Sequence, residues 1–273
     1  MKKVAIITGS TRGIGRSLAL HLGQLDYQVV VNGTKQELVD EVVQDIKRTG
    51  GVAMGFVAHI ADPIAVTKMV DAVIVQLGRI DVLIHNAGNL HDQKCIKMTD
   101  EEWLAVLGVH LNGAFYSIRR VLPYMQESGG DIILMTSTAG LGGSIGQVNY
   151  SVAKAGILGM TWTLAAELRR DNIRVNAISP AALTDMTRPV IEHIKNKYAS
   201  KNEPFPDYWK VGEAEDVARF VGGLLAQQDP ELTGEIFGVN SSKVTRWQKP
   251  IPTFSENNID AFFTTWQSRK GSE

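Results

Sequence analysis

The sequence predicts a doubly wound α/β fold, in which helices cover both faces of a mostly parallel sheet. Short runs of β-branched and apolar residues alternate with longer stretches of helical periodicity, and this order is typical of a parallel sheet. The runs are almost wholly apolar, as expected for strands that are buried on both faces. Seven such runs lie at residues 4–8, 28–32, 52–58, 80–85, 131–136, 173–178 and 235–239.

Capping patterns mark the starts of several helices. Asp62 precedes Pro63, which suits an N-cap followed by proline at the first helical position. Residues 99–102, Thr-Asp-Glu-Glu, have the pattern of a capping box. Two long helices are predicted after the fourth and fifth strands, at about residues 100–126 with a bend near Pro123, and at about residues 149–170.

The composition is that of an ordinary globular protein, and it argues against several classes of function. The chain has 273 residues, 44% of them hydrophobic and 21% charged, with a formal net charge of -1. This balance gives no long-range attraction to nucleic acid or to an anionic membrane. The single cysteine, Cys95, fits a reducing compartment, and no run reaches the roughly 18 apolar residues of a spanning helix. We therefore expect a cytoplasmic protein, and the spacing of its histidines predicts no metal site.

The chain is predicted to form one domain, residues 1–240, followed by an extension, residues 241–273. Within the domain a segment at residues 181–212 breaks the alternation, and loops this long are usually lids or binding loops. The extension is rich in aromatic residues, which suggests that it docks on the body of the protein or on another subunit. A loosely ordered end is the alternative, because Ser, Asn and Lys are also common there.

A glycine-rich turn directly after the first strand is the first candidate binding site. Glycines let the backbone turn sharply and approach a pyrophosphate, which the N–H groups and positive end of the following helix stabilise. Strand, glycines and helix in this order predict dinucleotide binding. The predicted contacts are Gly9, Ser10, Thr11, Arg12, Gly13, Ile14 and Gly15.

The end of the second strand indicates which dinucleotide binds. An acidic residue there would accept a hydrogen bond from the ribose 2′-OH and repel a 2′-phosphate. The sequence has Asn32 and Thr34 at this point and no acid, whereas Arg12 and Lys35 could pair with a phosphate. NADP(H) is therefore favoured over NAD(H) as the cofactor.

Three side chains near the second long helix predict acid/base chemistry. Tyr150 and Lys154 are four residues apart, so both lie on one face of the helix. A tyrosine pKa near 10 is too high for proton transfer at neutral pH, and a neighbouring cation would lower it. Ser137 follows the fifth strand, where it could donate to a developing oxyanion. Taken alone, a Tyr/Lys pair at this spacing is more often an exposed surface pair.

These motifs resemble those of the short-chain dehydrogenase/reductase family, from residue 4 to about residue 239. The glycine turn matches the family, as does the set of Ser137, Tyr150 and Lys154. A further matching segment, which would also contact the cofactor, follows the fourth strand at Asn86, Ala87 and Gly88. The resemblance implies a seven-stranded Rossmann sheet, a nicotinamide dinucleotide, and hydride transfer between its C4 and a carbonyl or alcohol carbon.

The resemblance also implies roles for the three side chains. Tyr150 would be the acid/base, and Lys154 would hold the nicotinamide ribose and lower the pKa of the tyrosine. Ser137 would orient the substrate oxygen. Members of the family tend to be tetramers or dimers built through the two long helices, so we expect a homotetramer or a homodimer.

The chain departs from the family pattern at several positions. His110 replaces an asparagine that helps to anchor a proton-relay water; it could hold a water or relay protons, or it could be a neutral structural histidine. His59 replaces the aspartate that contacts adenine. The backbone of Ile60 could then make part of the contact with adenine. Ala181 replaces the glycine of a Pro-Gly pair, and the threonine that meets the nicotinamide amide comes one residue early, as Thr184.

Some of these variants resemble one branch of the family. Residues 109–111, 135–137, 180–184 and 243–247 are similar to the (3R)-hydroxyacyl-CoA dehydrogenase region of peroxisomal multifunctional β-oxidation enzymes. This similarity implies an acyl thioester, or a related carbonyl compound, as the substrate.

We therefore expect an NADP(H)-dependent oxidoreductase that interconverts a ketone and a secondary alcohol, with a 3-oxoacyl or 3-hydroxyacyl thioester as one option. The alternative is a nucleotide-binding sensor or assembly subunit that no longer catalyses, which the changes at His110, His59 and Ala181 would suit. A non-redox epimerase or dehydratase is a third reading, although such relatives usually have altered catalytic spacing.

Overall fold

The computed structural model describes residues 1–185, 187–255 and 257–269. Its strands are β1 (Val4–Thr8), β2 (Gln28–Gly33), β3 (Val52–Val57), β4 (Val82–His85), β5 (Gly130–Met135), β6 (Ile173–Pro180), β7 (Ala182–Leu183), β8 (Gly212–Glu213), β9 (Ile236–Asn240) and β10 (Lys243–Trp247). Its helices are α1 (Gly13–Gln24), α2 (Gln36–Arg48), α3 (Pro63–Leu77), α4 (Asp100–Leu107), α5 (Gly113–Met125), α6 (Thr138–Gly142), α7 (Val148–Glu167), α8 (Arg188–Ala199), α9 (Ala214–Leu225) and α10 (Ile259–Arg269).

The main sheet confirms the predicted fold class and contains one strand more than predicted. Its order is β10-β9-β6-β5-β4-β1-β2-β3, and every neighbouring pair is parallel except β9 and β10. The additional strand, β10, belongs to the predicted extension and forms an antiparallel hairpin with β9. Its five residues are all exposed, so it lacks the apolar pattern that identified the other strands. Because the connections reverse direction at β1, a crevice is expected at the carboxyl ends of β1 and β4.

Two layers of helices bury the sheet. On one face α3, α5 and α7 contribute side chains such as Met69, Ile118 and Ile157, and on the other α1, α2 and α9 contribute side chains such as Leu18 and Val221. Each fully buried side chain of this size stabilises the fold by roughly 1.5–3 kcal/mol. The two cores therefore fix the carboxyl edge of the sheet, where the site lies.

The long helix predicted at residues 100–126 is interrupted at a different place from the one expected. A π-helical turn, Gly108–Asn112, separates α4 from α5, and Pro123 lies near the end of α5. The predicted capping box is confirmed: the Thr99 hydroxyl accepts from the Glu102 amide, and the Glu102 carboxylate accepts from the Thr99 amide. The extra residue of the π-turn turns His110 into the protein interior, where it is 2% exposed.

The segment after β6 contains β7, α8 and β8, and its end is tied to the hairpin. The Asn240 side chain accepts from the Gly212 amide at 2.9 Å and donates to the Lys210 carbonyl at 2.9 Å. Beyond β10, the Lys249 ammonium lies 6.0 Å from the centre of the Trp162 ring, so the extension passes over α7. The lid role of residues 181–212 and the domain boundary at residue 240 stay predictions. No helix in the described ranges is long and apolar enough to cross a membrane.

Candidate active site

A groove of about 460 Å³ lies at the carboxyl edge of the sheet. Its walls come from loops that follow β1, β2, β3, β4, β5 and β6, as the topology requires. The predicted site residues that line it are Gly9, Thr11, Arg12, Gly13, Ile14, Asn32, Thr34, Ile60, Asn86, Ala87, Gly88, His110, Tyr150, Lys154 and Thr184. Three others, Ser10, Gly15 and Ser137, do not line it.

The glycine turn brings two backbones into direct contact. A Cβ at Gly9 would lie 2.6 Å from the Cα of Ala87, and Gly9 has a φ of 62°. A Cβ at Gly15 would lie 2.3 Å from the Gly9 carbonyl oxygen and 2.5 Å from the side-chain nitrogen of Asn86. Gly15 therefore serves close packing of the turn, and its contact with the cofactor stays a prediction.

The Ser10 side chain holds the glycine turn to the end of β2, and its contact with the cofactor stays a prediction. Its hydroxyl is fully buried, donates to the Ile7 carbonyl at 2.8 Å and accepts from the Asn32 amide at 2.9 Å. The Asn32 side chain accepts from the Gly9 amide at 3.1 Å and donates to the carbonyl oxygens of Phe56, in β3, and Ala58, just after β3. Both residues shape the turn because their polar atoms are already engaged.

The residues of the groove fit a phosphate-bearing dinucleotide. Helix α1 starts at Gly13, its N-cap Arg12 makes no side-chain capping bond, and its first turn contains no acidic residue. The N–H groups of that turn are therefore available to an anion. Arg12 and Lys35 also line the groove near Thr34, where a second phosphate could be neutralised.

Ser137, Tyr150 and Lys154 converge at the carboxyl end of β5. Ser137 lies close enough to the Tyr150 hydroxyl to lower the pKa of that phenol. The Lys154 ammonium donates to the Met135 carbonyl at 2.6 Å and lies 5.5 Å from the centre of the Tyr150 ring. Ser137 is also the N-cap of α6, because its hydroxyl accepts from the Ala139 amide at 3.2 Å. The structure thus brings together the three residues that the motif predicted.

Two residues that the sequence analysis did not single out hold α7 in place. The Asn149 side chain donates to the His91 carbonyl at 3.0 Å and to the Glu102 carbonyl at 3.3 Å. The Thr136 hydroxyl donates to the Lys154 carbonyl at 2.9 Å. Their positions, directly before Tyr150 and directly after β5, were the signals that could have identified them.

Burial dominates the protonation of the site. It raises the pKa of Tyr150, and the hydrogen bond from Ser137 lowers that pKa by a smaller amount. Burial lowers the pKa of Lys154 to about 7. The helical spacing predicted a lowered tyrosine pKa, and this part of the prediction is wrong for the protein without ligand. The Lys154 ammonium bonds to a backbone carbonyl instead of approaching the phenol oxygen.

His85 and His110 are neutral imidazoles at the groove, and His110 lines it whereas His85 is buried next to it. Burial lowers the pKa of His85 to about 3, and burial followed by the charge of Lys154 holds the pKa of His110 well below 6.5. The Thr8 hydroxyl oxygen accepts from two backbone amides and therefore donates its own proton to His85 Nδ1, at 3.3 Å. The other nitrogen of His85 then donates to the Val109 carbonyl at 3.2 Å.

Comparison with known proteins agrees with this geometry. A sequence model described as short chain dehydrogenase matches residues 3–195. The chain belongs to the short-chain dehydrogenase/reductase family. It is an NAD(P)-dependent oxidoreductase, and the expectation of NADP(H) as its cofactor is confirmed.

Members of the short-chain dehydrogenase/reductase family match nearly the whole chain. The 3-oxoacyl-[acyl-carrier-protein] reductase FabG of Staphylococcus epidermidis is 37% identical over 244 residues, which are 88% of this chain and 98% of that protein. The enzyme of the same name from Thermotoga maritima is 34% identical, over 89% and 98% respectively. A crystal structure of a short chain dehydrogenase from Mycobacterium avium superimposes with a TM-score of 0.81 at 30% identity, covering 98% of this chain and 94% of the other.

Proposed function

We propose that this enzyme reduces the ketone of 3-oxoacyl thioesters to the secondary alcohol, with Tyr150 as the general acid. The names of the relatives support the substrate class. The observation that carries the chemistry is the convergence of Ser137, Tyr150 and Lys154 at a groove that fits the dinucleotide. The phenol is protonated in the protein without ligand, as a general acid must be before it donates its proton.

Each catalytic side chain has one task in this proposal. NADPH, when bound, supplies the hydride that the carbonyl carbon receives. Tyr150 transfers its phenolic proton to the carbonyl oxygen, and Ser137 donates a hydrogen bond to the same oxygen while negative charge develops on it. Lys154, anchored on the Met135 carbonyl, places a positive charge beside the phenolate that remains.

The proposed cofactor contacts run along the groove from the phosphate end to the nicotinamide end. The N–H groups at the start of α1 and the side chains of Thr11 and Arg12 would hold the phosphates, with Lys35 beside Thr34 for the 2′-phosphate. Ile60 and the backbone of residues 86–88 line the middle of the groove. Tyr150, Lys154 and Thr184 would meet the nicotinamide end.

The function is tested by oxidation of NADPH with 3-oxoacyl thioesters, carried on coenzyme A and on acyl carrier protein. We expect turnover that falls by about 10²–10⁴ in Tyr150→Phe, because general acid catalysis contributes that much. Binding of NADPH should survive this change, and Tyr116→Phe, a change of the same kind on α5, should keep full activity. Retained activity in Tyr150→Phe would refute the mechanism. NADPH binding without turnover on any carbonyl compound would favour the non-catalytic alternative.

A homotetramer or homodimer through α5 and α7 is part of the proposal. Phe115 on α5 is 47% exposed, Val152 on α7 is 42% exposed, and Gly159 on α7 faces open space. Two copies could bury these small and apolar surfaces against each other. We expect Phe115→Glu to lower the mass measured by light scattering, and Val75→Glu on α3 to leave it unchanged. A monomeric parent protein would contradict this assembly. The cytoplasmic location of the protein is a separate prediction.

A further inference from the structure

His110 lies between two parts of the site that must keep a fixed distance. Its imidazole packs edge to face against the Tyr150 ring, with centroids 5.2 Å apart and planes 87° apart. It also contacts the turn after β4, because a Cβ at Gly88 would lie 2.5 Å from His110 Cε1. One side chain therefore touches both the proposed general acid and the turn that lines the groove.

The bond from His110 to the turn is made by one nitrogen. His110 Nε2 lies 3.1 Å from the Asn89 amide nitrogen and 2.8 Å from the Asn89 carbonyl oxygen. Either neutral tautomer keeps one of these hydrogen bonds. The Asn89 side chain in turn donates to the Ala105 carbonyl on α4 at 3.1 Å. The turn is thus fastened to α4 and to the π-turn through residue 89.

The surroundings of His110 keep it uncharged. Lys154, Tyr150 and His85 are the titratable groups near it, and none is a carboxylate that would stabilise an imidazolium. Burial and the charge of Lys154 both hold its pKa well below 6.5. The residue therefore acts through its shape and one hydrogen bond at neutral pH.

We propose that His110 is a positioning residue that holds the Tyr150 ring and the turn at residues 86–89 in one fixed geometry. The imidazole ring sets the position of Tyr150, and Nε2 sets the position of the turn. This inference rests on the proposed function, since it gives the geometry of the same site. It assigns two separable tasks to one side chain: ring contact for the proton donor, and a backbone bond for the dinucleotide groove.

Two substitutions separate these tasks. His110→Gln keeps a terminal amide that can bond to Asn89 but has no ring, and His110→Phe keeps a ring but cannot bond to Asn89. In the glutamine variant we expect NADPH affinity within about twofold of the parent, because the turn keeps its bond. The ionisation of Tyr150 should move to lower pH, since a loosened ring admits water and loses the burial that raises its pKa.

The phenylalanine variant should show the opposite pattern. We expect its NADPH affinity to fall about five- to tenfold, as for the loss of one hydrogen bond, while the ionisation of Tyr150 stays in place. NADPH affinity is measured by fluorescence titration. Tyr150 ionisation is measured as the difference in phenolate absorbance between each protein and the same protein carrying Tyr150→Phe. Neither readout needs an acyl substrate, so failure of the proposed reaction would not affect them.

Ile118→Ala, a buried change on α5, is the matched control for lost packing. It should lower the melting temperature without moving either readout. If the glutamine and phenylalanine variants change both readouts together, or change neither, His110 is only structural and the proposal is overturned. If either His110 variant fails to fold, Gly88→Ala is the substitute, because it displaces the imidazole ring while His110 itself is retained. An unchanged Tyr150 ionisation in Gly88→Ala would also overturn the proposal.

Discussion

At the scale of single residues, the buried ammonium of Lys154 lowers the stability of the fold. Its side chain is 4% exposed, and none of the ion pairs formed by the described residues includes it. Burial lowers its pKa to about 7, so the protein gives up stability to place an ammonium beside the proposed acid. Polar groups held in this way are typical of functional sites.

Lys154→Met should therefore make the protein more stable and inactive. Since the folded pKa of Lys154 is lowered, its contribution to stability is complete above about pH 10.5 and is lost as pH falls to about 7. We expect a gain of about 1–3 kcal/mol in the free energy of unfolding near pH 6.5, and a smaller gain near pH 9.5. Urea denaturation at both pH values measures this gain in the free energy of unfolding, and Lys68→Met, at an exposed lysine, is the control. A variant less stable than the parent near pH 6.5 would contradict this account.

At the scale of elements, the positions of the proposed catalytic residues depend on how α6 packs on α7. A Cβ at Gly140 would lie 2.5 Å from the Lys154 carbonyl carbon and 2.7 Å from the Ala155 amide nitrogen. Only glycine lets the two backbones approach so closely, and this approach fixes Ser137, at the start of α6, relative to α7. Gly142, two residues on in the same helix, has no neighbouring atom within 4 Å of such a Cβ.

These two glycines give opposite predictions for the same substitution. Gly140→Ala should destabilise the fold by about 1–3 kcal/mol, because backbone must move, and it should also reduce activity by displacing Ser137. Gly142→Ala should leave activity unchanged and stabilise by about 0.5 kcal/mol through its effect on the unfolded chain. Thermal denaturation and initial rates of both variants test the pair. Equal effects of the two changes would mean that α6 is free to shift.

At the scale of the whole molecule, two buried histidines make the fold sensitive to acid. The pKa values of His85 and His110 are both lowered, to about 3 for His85, so each takes up a proton on unfolding in mild acid. Their contribution to stability is complete above about pH 6.5 and is lost as pH falls toward the folded values.

Between about pH 6 and pH 5 we expect these histidines to lower the free energy of unfolding by about 1.4 kcal/mol per pH unit each. Urea denaturation across this range measures the slope. His110→Gln should reduce this slope by about 1.4 kcal/mol per pH unit, and His193→Gln, on the outer helix α8, is the control substitution. A flat profile in the parent would show that the two imidazoles are solvated.

The amino-acid sequence by itself determined the fold class, the groove and the proposed catalytic set. Apolar runs and glycines act locally, so their positions specify strands, turns and the carboxyl edge where Ser137, Tyr150 and Lys154 must meet. The sequence did not determine β10, the π-turn that buries His110, or the tasks of Ser10, Gly15 and Asn32. It also predicted the wrong direction for the tyrosine pKa. These properties depend on burial and on contacts between residues far apart in the chain, such as the approach of Gly15 to Asn86, and only the tertiary structure decides them.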